Sequence, residues 1–285
     1  MKLILRKNDS ATSLLLFIYN NYMHINSKES IKLSSLLEML KVFGKNETAI
    51  RMSLSRAVKA GLLINNKYKN EVSYALTTEG KKAILNWNEG VIQFFKRYQL
   101  RNLQWDNKWY FINVEFVEDN KDNKAEFIDQ LQQRGFVQIN TNTWVTPYHQ
   151  YEEVWNLTKK YSFEDRIVEI HGEMKIHKDM DKFLDDNYGI SKLKIAYQGF
   201  VDNYSGKLQE ISRLYKEQTF VENGLAFPVL HELGWSFFSI ASDDAVLPRQ
   251  ILPEWEGDKA TLLMKELREL LLESTYRYLE KFNKE

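Results

Sequence analysis

Cysteine is absent from the 285 residues of this chain. Without a thiol the chain can form no disulfide, no thiolate metal site and no cysteine nucleophile. Only four prolines and twelve glycines are present, which favours a high helix content with few loops. No apolar run approaches the roughly 20 residues that span a bilayer, and Met1–Lys7 lacks the apolar stretch of a secretory signal. We therefore expect a cytoplasmic protein without a membrane partner.

The formal net charge of +0 hides a division of charge along the chain. Residues 1–100 carry 16 Lys and Arg against 7 Asp and Glu, whereas the rest of the chain carries 23 against 32. Between Lys41 and Lys82 there are nine basic residues and three acidic ones. A basic module can displace counterions from a phosphate backbone, while an acidic body keeps the remaining surface off the polyanion. The charge pattern favours double-stranded DNA as a partner, and a chance surface imbalance is the alternative.

The length suggests two or three domains, and the 44% hydrophobic and 27% charged fractions are those of a globular protein. Apolar spacing predicts helices over Ser10–Met23, Leu33–Phe43 and Glu47–Ala60. Gly44-Lys45-Asn46 separates the second helix from the third. Two short helices joined by a three-residue turn that contains glycine are typical of a helix-turn-helix.

The third helix can be oriented by its own pattern, because Ile50, Leu54, Ala57 and Val58 form a narrow apolar stripe. Arginine, serine and lysine outside that stripe suit guanine edges and phosphate oxygens in the major groove. The helix residues predicted to contact DNA are Arg51, Ser53, Ser55, Arg56 and Lys59. The alternative is an ordinary solvated helix face.

Two predicted strands, Leu62–Ile64 and Val72–Leu76, follow the third helix. The polar, basic loop between them is typical of a hairpin wing, and Lys67 and Lys69 are predicted to contact DNA phosphates. A further helix begins near Thr77. This order of elements predicts a winged helix-turn-helix domain over residues 1–88, followed by a linking helix within 89–104.

Residues 105–177 change to a mixed pattern of strands and helices. The predicted elements are strand Trp109–Phe116, helix Asn123–Arg134, strands Phe136–Ile139 and Thr143–Thr146, helix Tyr151–Tyr161 and strand Arg166–His171. The order β-α-β-β-α-β is ferredoxin-like, a fold that hosts many unrelated functions. The whole chain is therefore predicted to be α+β.

Residues 178–285 are predicted to form a helical effector or dimerisation domain. The predicted helices are Asp179–Asp186, Ile190–Ser205, Gly206–Phe220, Pro228–Ser239 and a last helix from Asp258. On the last helix, Leu263, Leu267 and Leu270 recur at helical spacing and are candidates for a homodimer contact.

Common enzyme signatures are missing from the sequence, including GxGxxG, the P-loop, GxSxG and HExxH. The nearest approach to a metal site is the group His171, Glu173, His177 and Asp179, which has no matching further ligand. We therefore expect neither a metal, nor a resident cofactor, nor enzymatic activity.

Several segments resemble the PaaX-like repressors of phenylacetate catabolism, and the resemblance extends over nearly the whole chain. In the first domain the segments are Phe43-Gly44, Ile50–Arg56 (IRMSLSR), Gly61–Leu63 (GLL) and Tyr74–Gly80 (YALTTEG). Further on they are Trp105–Trp109 (WDNKW), Trp144–Pro147 (WVTP), Leu230–Glu232 (LHE) and Leu247–Trp255 (LPRQILPEW). The last segment is the most specific, because it brings two prolines together in a chain that has four.

The resemblance implies a homodimeric transcriptional repressor with a Cas2-like middle domain, released from its operator by an aryl-CoA thioester such as phenylacetyl-CoA. Aromatic residues of the last domain could line a pocket for the aryl or acyl group, although each could equally belong to the helical core. The predicted effector residues are Tyr197, Phe200, Tyr204, His231, Trp235 and Arg249. The chain departs from the family at Asp243–Val246, where an Asp-Pro pair is expected. Two alternatives are a Cas2-like metal-dependent nuclease, with Glu115 as its nearest acid, and an acyl-CoA enzyme that carries a DNA-binding domain.

Overall fold

The computed structural model of the chain describes residues 11–26, 29–116, 121–177, 179–217 and 224–283. These residues form two compact units. The middle unit comprises Gly90–Gly199 and Ser239–Asp258. The head unit comprises the described residues before Gly90, together with those of Phe200–Phe238 and those from Lys259 onward. Within the described ranges, no helix combines the length and apolarity that crossing a membrane requires.

The first part of the head unit is a winged helix-turn-helix, as predicted. Its elements are α1 (Ala11–Ile25), β1 (Ser30–Lys32), α2 (Leu33–Lys41), α3 (Glu47–Lys59), β2 (Leu63–Tyr68) and β3 (Glu71–Leu76). The three strands form an antiparallel sheet in the order β1-β3-β2. The three-residue strand β1 was not predicted, because its strand geometry depends on pairing with β3, more than 40 residues away in the chain.

Helix α1 is enclosed rather than amphipathic, since the residues from Leu14 to Tyr19 are all buried. A helix that is apolar on all sides must be covered on all sides. The Phe17 ring of α1 stacks on the ring of Phe227, a residue from the C-terminal part of the same unit. The winged helix-turn-helix therefore shares its core with helices that lie far away in sequence.

Two predicted breaks are absent from the structure. Helix α4 (Thr78–Leu100) runs continuously through Gly90, and α8 (Ile190–Lys216) runs continuously through Gly206. Glycine inside a helix costs only about 1 kcal/mol relative to alanine, which burial of the flanking apolar residues outweighs. Phe220, the predicted end of the second part of α8, lies outside the described residues.

The middle unit contains the predicted ferredoxin-like arrangement. Its elements are β4 (Trp109–Val114), α5 (Lys121–Gln133), β5 (Val137–Gln138), β6 (Thr143–Thr146), α6 (Tyr151–Tyr161) and β7 (Ile167–Gly172). The strands form an antiparallel sheet in the order β5-β6-β4-β7. In the β4–β7 pair, Phe111 lies opposite Ile170 and Ile112 lies opposite Glu169.

Both faces of this sheet carry a hydrophobic core. One face supplies Ile112 and Trp144, which pack with Phe127 and Leu157 from α5 and α6. The other face supplies Trp109 and Val145, which pack with Leu184 and Tyr188 from α7 (Met180–Tyr188) and with Ala245 and Leu247. Residues 239–258, which belong to the C-terminal part of the sequence, thus complete the core of the middle unit.

The C-terminal helices α9 (Ala226–Ala241) and α10 (Glu256–Glu280) complete the fold. The segment 178–285, predicted as one domain, contributes 179–199 and 239–258 to the middle unit and its other described residues to the head unit. The expectation of an exposed leucine stripe on the last helix is wrong. Leu263 and Leu267 are buried within the chain, and Leu270 is partly buried, so this stripe is core.

Candidate nucleic-acid interface

Helix α3 is defined at both ends by its sequence. The Asn46 side chain accepts a hydrogen bond from the backbone N–H of Ala49 at 2.9 Å, which is an N-cap. Glu47 lies in the first turn, and Arg56 and Lys59 lie in the last turn. The acid at the N-terminus and the bases at the C-terminus each interact favourably with the helix dipole. Gly61, with a φ of 71°, lets the chain turn directly into the wing.

One face of α3 is buried and the other carries the predicted DNA-contacting residues. Ile50, Leu54 and Ala57 are buried, as the apolar stripe predicts. Arg51, Ser55, Arg56 and Lys59 are exposed. Arg51 is already paired, because its Nε and Nη2 donate to Glu47 Oε1 at 2.9 Å and 2.7 Å. Among the described residues, Arg56 and Lys59 have no ion-pair partner.

Ser53 does not share that exposed face, which corrects the prediction. It is 6% exposed, and its hydroxyl donates to the Ala49 carbonyl at 2.6 Å. Ser53 lies at the edge of the apolar stripe, where helical spacing alone does not distinguish a buried position from an exposed one. In this conformation it supports the helix and is not placed to reach DNA.

The wing is a tight hairpin rather than the seven-residue loop that the sequence predicts. Strands β2 and β3 pair as far as Tyr68 opposite Glu71, which leaves a two-residue turn of Lys69 and Asn70. Lys69 has a φ of 53°, the left-handed conformation that such turns require. Lys67 and Lys69 are both exposed, as predicted.

Tyr68, at the tip of the wing, was not among the predicted contacts. Its side chain is 74% exposed, and the Lys69 ammonium lies 5.5 Å from its ring centroid. An exposed tyrosine between two lysines is suited to hydrogen-bond a phosphate oxygen through its hydroxyl. An aromatic residue inside a basic loop was the sequence signal that could have identified it.

The end of the wing is fixed to the start of α4 by close backbone contacts. The Thr77 N–H donates to the Leu62 carbonyl at 3.0 Å, and the Thr77 hydroxyl accepts from the Gly80 N–H at 3.0 Å. Gly80 lies so close to this strand that a Cβ would come within 2.2 Å of the Leu62 oxygen. Position 80 therefore requires glycine, because any side chain would collide with the Leu62 carbonyl. These contacts fix the end of the wing against the start of α4.

A cluster of rings joins α9 to the helix-turn-helix inside the head unit. His231 of α9 lies 4.8 Å from the Phe17 ring and 5.9 Å from the Phe43 ring, measured between centroids. Phe43 lies in the turn between α2 and α3 and also contacts Phe227 at 5.1 Å. We call these four residues the aromatic cluster. The aromatic cluster thus packs α9 against the turn that precedes α3.

The structure places the other predicted effector residues of the head unit near one another. Phe200 stacks on Tyr204 at 4.7 Å between ring centroids. The Tyr204 hydroxyl is 3.1 Å from Ser236 Oγ and 3.4 Å from Glu232 Oε1, and burial raises its pKa. Trp235 is partly buried and lies 6.5 Å from His231.

Tyr197 and Arg249 lie in the middle unit, where both have structural partners. The fully buried Tyr197 donates its hydroxyl to Asp244 Oδ2 at 2.9 Å. Arg249 Nε donates to Asn102 Oδ1 at 2.9 Å, and its Nη2 lies 3.5 Å from Asp258 Oδ2. Neither of the two cavities described below is lined by any of the six predicted effector residues.

Two buried arginines on α4 bind backbone carbonyls of the middle unit, and Arg101 binds the segment Leu247–Trp255 that the sequence singled out. Arg101 is fully buried and donates to the carbonyls of Leu247 at 2.6 Å and Leu252 at 2.8 Å, and to both carboxylate oxygens of Asp258. Arg97, one turn earlier, donates to the carbonyls of Gln133 and Asp244. We call Arg97, Arg101 and Asp258 the arginine clamp. Sequence reasoning missed it, although the spacing of four residues places both arginines on one side of a helix.

The backbone at Val246, beside the arginine clamp, is under local strain. Val246 has a φ of 58°, which is unusual for a β-branched residue. Its N–H donates to Asp244 Oδ1 at 2.7 Å, and its carbonyl accepts from the Tyr148 hydroxyl. Burial raises the pKa of Asp244 and lowers the pKa of Arg97 to about 10. Asp244 and Val246 belong to the segment Asp243–Val246, where the sequence departs from the expected Asp-Pro pair.

Two cavities lie in the middle unit and are lined by residues of that unit alone. The larger, of about 410 Å³, is lined by Arg97, Gln133 and Asp244 among others. The smaller, of about 280 Å³, lies beside β7 and is lined by Tyr110, His149, Glu169 and His171 among others. No three His, Asp or Glu side chains in the described part of the chain are grouped to hold a metal ion.

Comparison with known proteins agrees with this geometry. The family model described as PaaX-like protein matches residues 10–80, which cover the winged helix-turn-helix. The model described as PaaX protein central Cas2-like domain matches residues 102–184, which cover the ferredoxin-like sheet. The comparison with curated proteins gave no match.

A solved structure shares the fold over nearly its full length. It is the uncharacterized protein Rv0674 from Mycobacterium tuberculosis, with a TM-score of 0.51, 16% sequence identity, and coverage of 93% of this chain and 97% of that one. Two PaaX family models match two successive parts of the chain, residues 10–80 and 102–184, and confirm the resemblance. The chain belongs to the PaaX-like family.

Proposed function

We propose that this protein is a sequence-specific DNA-binding repressor of transcription, of the PaaX type, and not an enzyme. The observation that carries the proposal is the exposed face of α3, where Ser55, Arg56 and Lys59 stand free on a helix whose other face is buried. The strong positive charge of this part of the chain supports DNA as the partner.

Each exposed residue has a role that its chemistry suits. Arg56 can donate two parallel hydrogen bonds to a guanine edge, which discriminates bases by roughly 1–3 kcal/mol per pair. Arg51 can do the same once it leaves Glu47, with which it forms an exposed ion pair of little net stability. Lys67 and Lys69 on the wing would contact phosphates and carry no sequence information.

We further propose that the protein acts as a homodimer on a two-fold symmetric operator. A single recognition helix reads only a few base pairs, and a symmetric pair doubles the contacts while matching a palindromic site.

The proposed effector is an aryl-CoA or related acyl-CoA thioester, as the family resemblance implies. A ligand releases DNA only if it binds the released state more tightly than the bound state. The aromatic cluster supplies a route for this coupling, because His231 of α9 contacts Phe43 in the turn that precedes α3. A ligand that displaces α9 would therefore change the position of α3.

The DNA-binding proposal is tested with an operator obtained by sequencing the fragments that co-purify with the protein. Fluorescence anisotropy then compares binding to the operator and to random DNA. Arg56→Ala should lose about ten-fold or more on the operator and much less on random DNA. The matched control is Arg268→Ala, an exposed arginine on α10, which should change neither. Equal affinities of wild type and Arg56→Ala for the operator would refute the proposed role of α3.

The effector is tested by titrating the operator complex with a panel of aryl- and acyl-CoA thioesters. Phenylacetyl-CoA should lower operator affinity about ten-fold or more, a coupling of roughly 1–3 kcal/mol. Free phenylacetate should do little, because it lacks the thioester and the phosphates. Retention of the complex with every thioester would remove this ligand class and leave the DNA-binding proposal in place.

A further inference from the structure

Strand β7 is an unprotected edge of the middle-unit sheet. It is the last strand in the order β5-β6-β4-β7, so its outer side has no neighbouring strand in the described part of the chain. Val168 and Ile170 are 58% and 59% exposed on this strand. Native edge strands are commonly protected by charged side chains, especially lysine, by proline or by a bulge. Strand β7, with the sequence IVEIHG, contains neither lysine nor proline and has a single carboxylate, Glu169.

The direction of the backbone groups along β7 follows from one hydrogen bond. The Glu115 N–H donates to the Arg166 carbonyl at 2.9 Å, so Arg166 directs its backbone toward β4. Backbone groups alternate along an antiparallel strand. The backbone N–H and C=O groups of Val168 and Ile170 therefore also point toward β4. Those of Glu169 and His171 point outward. The outer edge thus presents free donors and acceptors at Glu169 and His171.

A second copy of this strand can satisfy those groups, and charge favours one register among those with the axis at Glu169, Ile170 or His171. A two-fold axis perpendicular to the sheet pairs β7 with itself in antiparallel orientation. With the axis at Ile170, Glu169 lies opposite His171 of the second copy, and the reverse contact is identical. With the axis at Glu169, two carboxylates face each other, and with the axis at His171, Glu169 faces Glu173. Like charges directly opposite one another are destabilising.

We propose that two copies of the chain associate through their β7 strands, antiparallel about a two-fold axis at Ile170, to form one continuous eight-stranded sheet. Glu169 and His171 make the backbone hydrogen bonds and the side-chain pairs across the axis. Val168 and Ile170 bury their exposed apolar surface against the second copy. The inference rests on the proposed homodimer and names its contact surface, while it is independent of DNA binding.

The absence of cysteine from the chain makes the register directly testable. In the proposed register, the two Ile170 residues form a non-hydrogen-bonded pair with Cα atoms about 4.5 Å apart, within the range of a disulfide. Ile170→Cys should therefore become a covalent dimer under mild oxidation. Val168→Cys is the matched control, because its exposure is nearly equal but its two copies lie four residues, or about 13 Å, apart along the strands.

Non-reducing electrophoresis with increasing oxidation reads the result. Rapid dimer formation by Ile170→Cys, with little by Val168→Cys, supports the register. Equal cross-linking of the two variants indicates random collision and overturns it, as does the absence of cross-linking in both.

Sedimentation velocity gives a second measurement without cysteine. Wild type should sediment as a dimer at micromolar concentration, and Glu169→Lys should sediment as a monomer because it places lysine opposite His171. Adding His171→Glu to Glu169→Lys should restore the dimer by reversing both charges. A wild-type monomer of 33.8 kDa would overturn the proposal. Operator affinity, measured separately, would then show whether the DNA-binding proposal still stands.

Discussion

Replacing Arg101 with methionine is expected to loosen the whole segment from Leu247 to Asp258. Methionine keeps most of the apolar stem of arginine and removes the guanidinium. Arg101 is 0% exposed and makes four hydrogen bonds, of 2.6–2.9 Å, to two carbonyls and one carboxylate. Removal of the guanidinium leaves the carbonyls of Leu247 and Leu252 without the hydrogen bonds that Arg101 donates.

The magnitude follows from the partner that remains. Breaking a buried ion pair by removing one member costs about 3–5 kcal/mol, because the other charge stays behind. The Asp258 side chain is 16% exposed and keeps Arg249 at 3.5 Å, so its charge is not left alone. We therefore expect a loss near the lower bound, about 3 kcal/mol, which is a large fraction of the 5–15 kcal/mol typical of a folded protein.

Urea unfolding followed by tryptophan fluorescence measures the change, with hydrogen exchange of residues 247–258 as a local readout. Arg249→Met is the matched control, because Arg249 contacts the same carboxylate but its side chain is 53% exposed. An exposed pair of this kind is worth about 0–1 kcal/mol. If the two substitutions destabilised the protein equally, burial of the clamp would not be the source of its stability, and the reasoning would fail.

Three further outcomes are expected. Lys69→Ala should weaken operator and random DNA about equally and reduce the salt slope of binding by about 0.9, as measured by anisotropy at several salt concentrations. Gly80→Ala should lower the thermal unfolding midpoint because its Cβ would meet the Leu62 oxygen, whereas Gly199→Ala, in open space within α8, should raise stability by about 0.5–1 kcal/mol. Burial raises the pKa of Asp244 above its ordinary value of 3.8, so its contribution to stability is complete below that value and is lost as pH rises through the folded pKa. Asp244→Asn should remove this part of the pH dependence in urea titrations, and an unchanged profile would contradict the assignment.

Local signals in the sequence were sufficient for much of the fold. Asn46 and Gly61 mark the ends of α3, and the stripe of Ile50, Leu54 and Ala57 predicts which side is buried. The middle unit followed from its order of elements, because β-α-β-β-α-β admits few compact arrangements. These features depend on residues close together in the chain.

The remaining features depend on contacts between distant segments. Leu263 and Leu267 have the spacing of a dimer stripe, yet they are covered by other parts of the same chain. Arg101 gave no sign of its role, because its partners lie about 150 residues further on. Ser53 lies where a helical wheel cannot decide between burial and exposure. In each case tertiary packing decides whether the residue is buried, and the spacing of apolar residues along the chain gives no information about that packing.

The two-residue turn of the wing has a consequence for how tightly DNA can be held. Ordering a flexible backbone costs about 1–2 kcal/mol per residue, and a loop of seven residues would incur that cost each time it bound. Here the backbone from Leu63 to Leu76 is already ordered by the β2–β3 pairing, so binding restricts only the lysine and tyrosine side chains at its tip. The distance between the wing and α3 is likewise set when the chain folds. In the proposed DNA-binding role, the protein would select DNA whose groove width matches that distance, which would add a shape requirement to the proposed base contacts of α3.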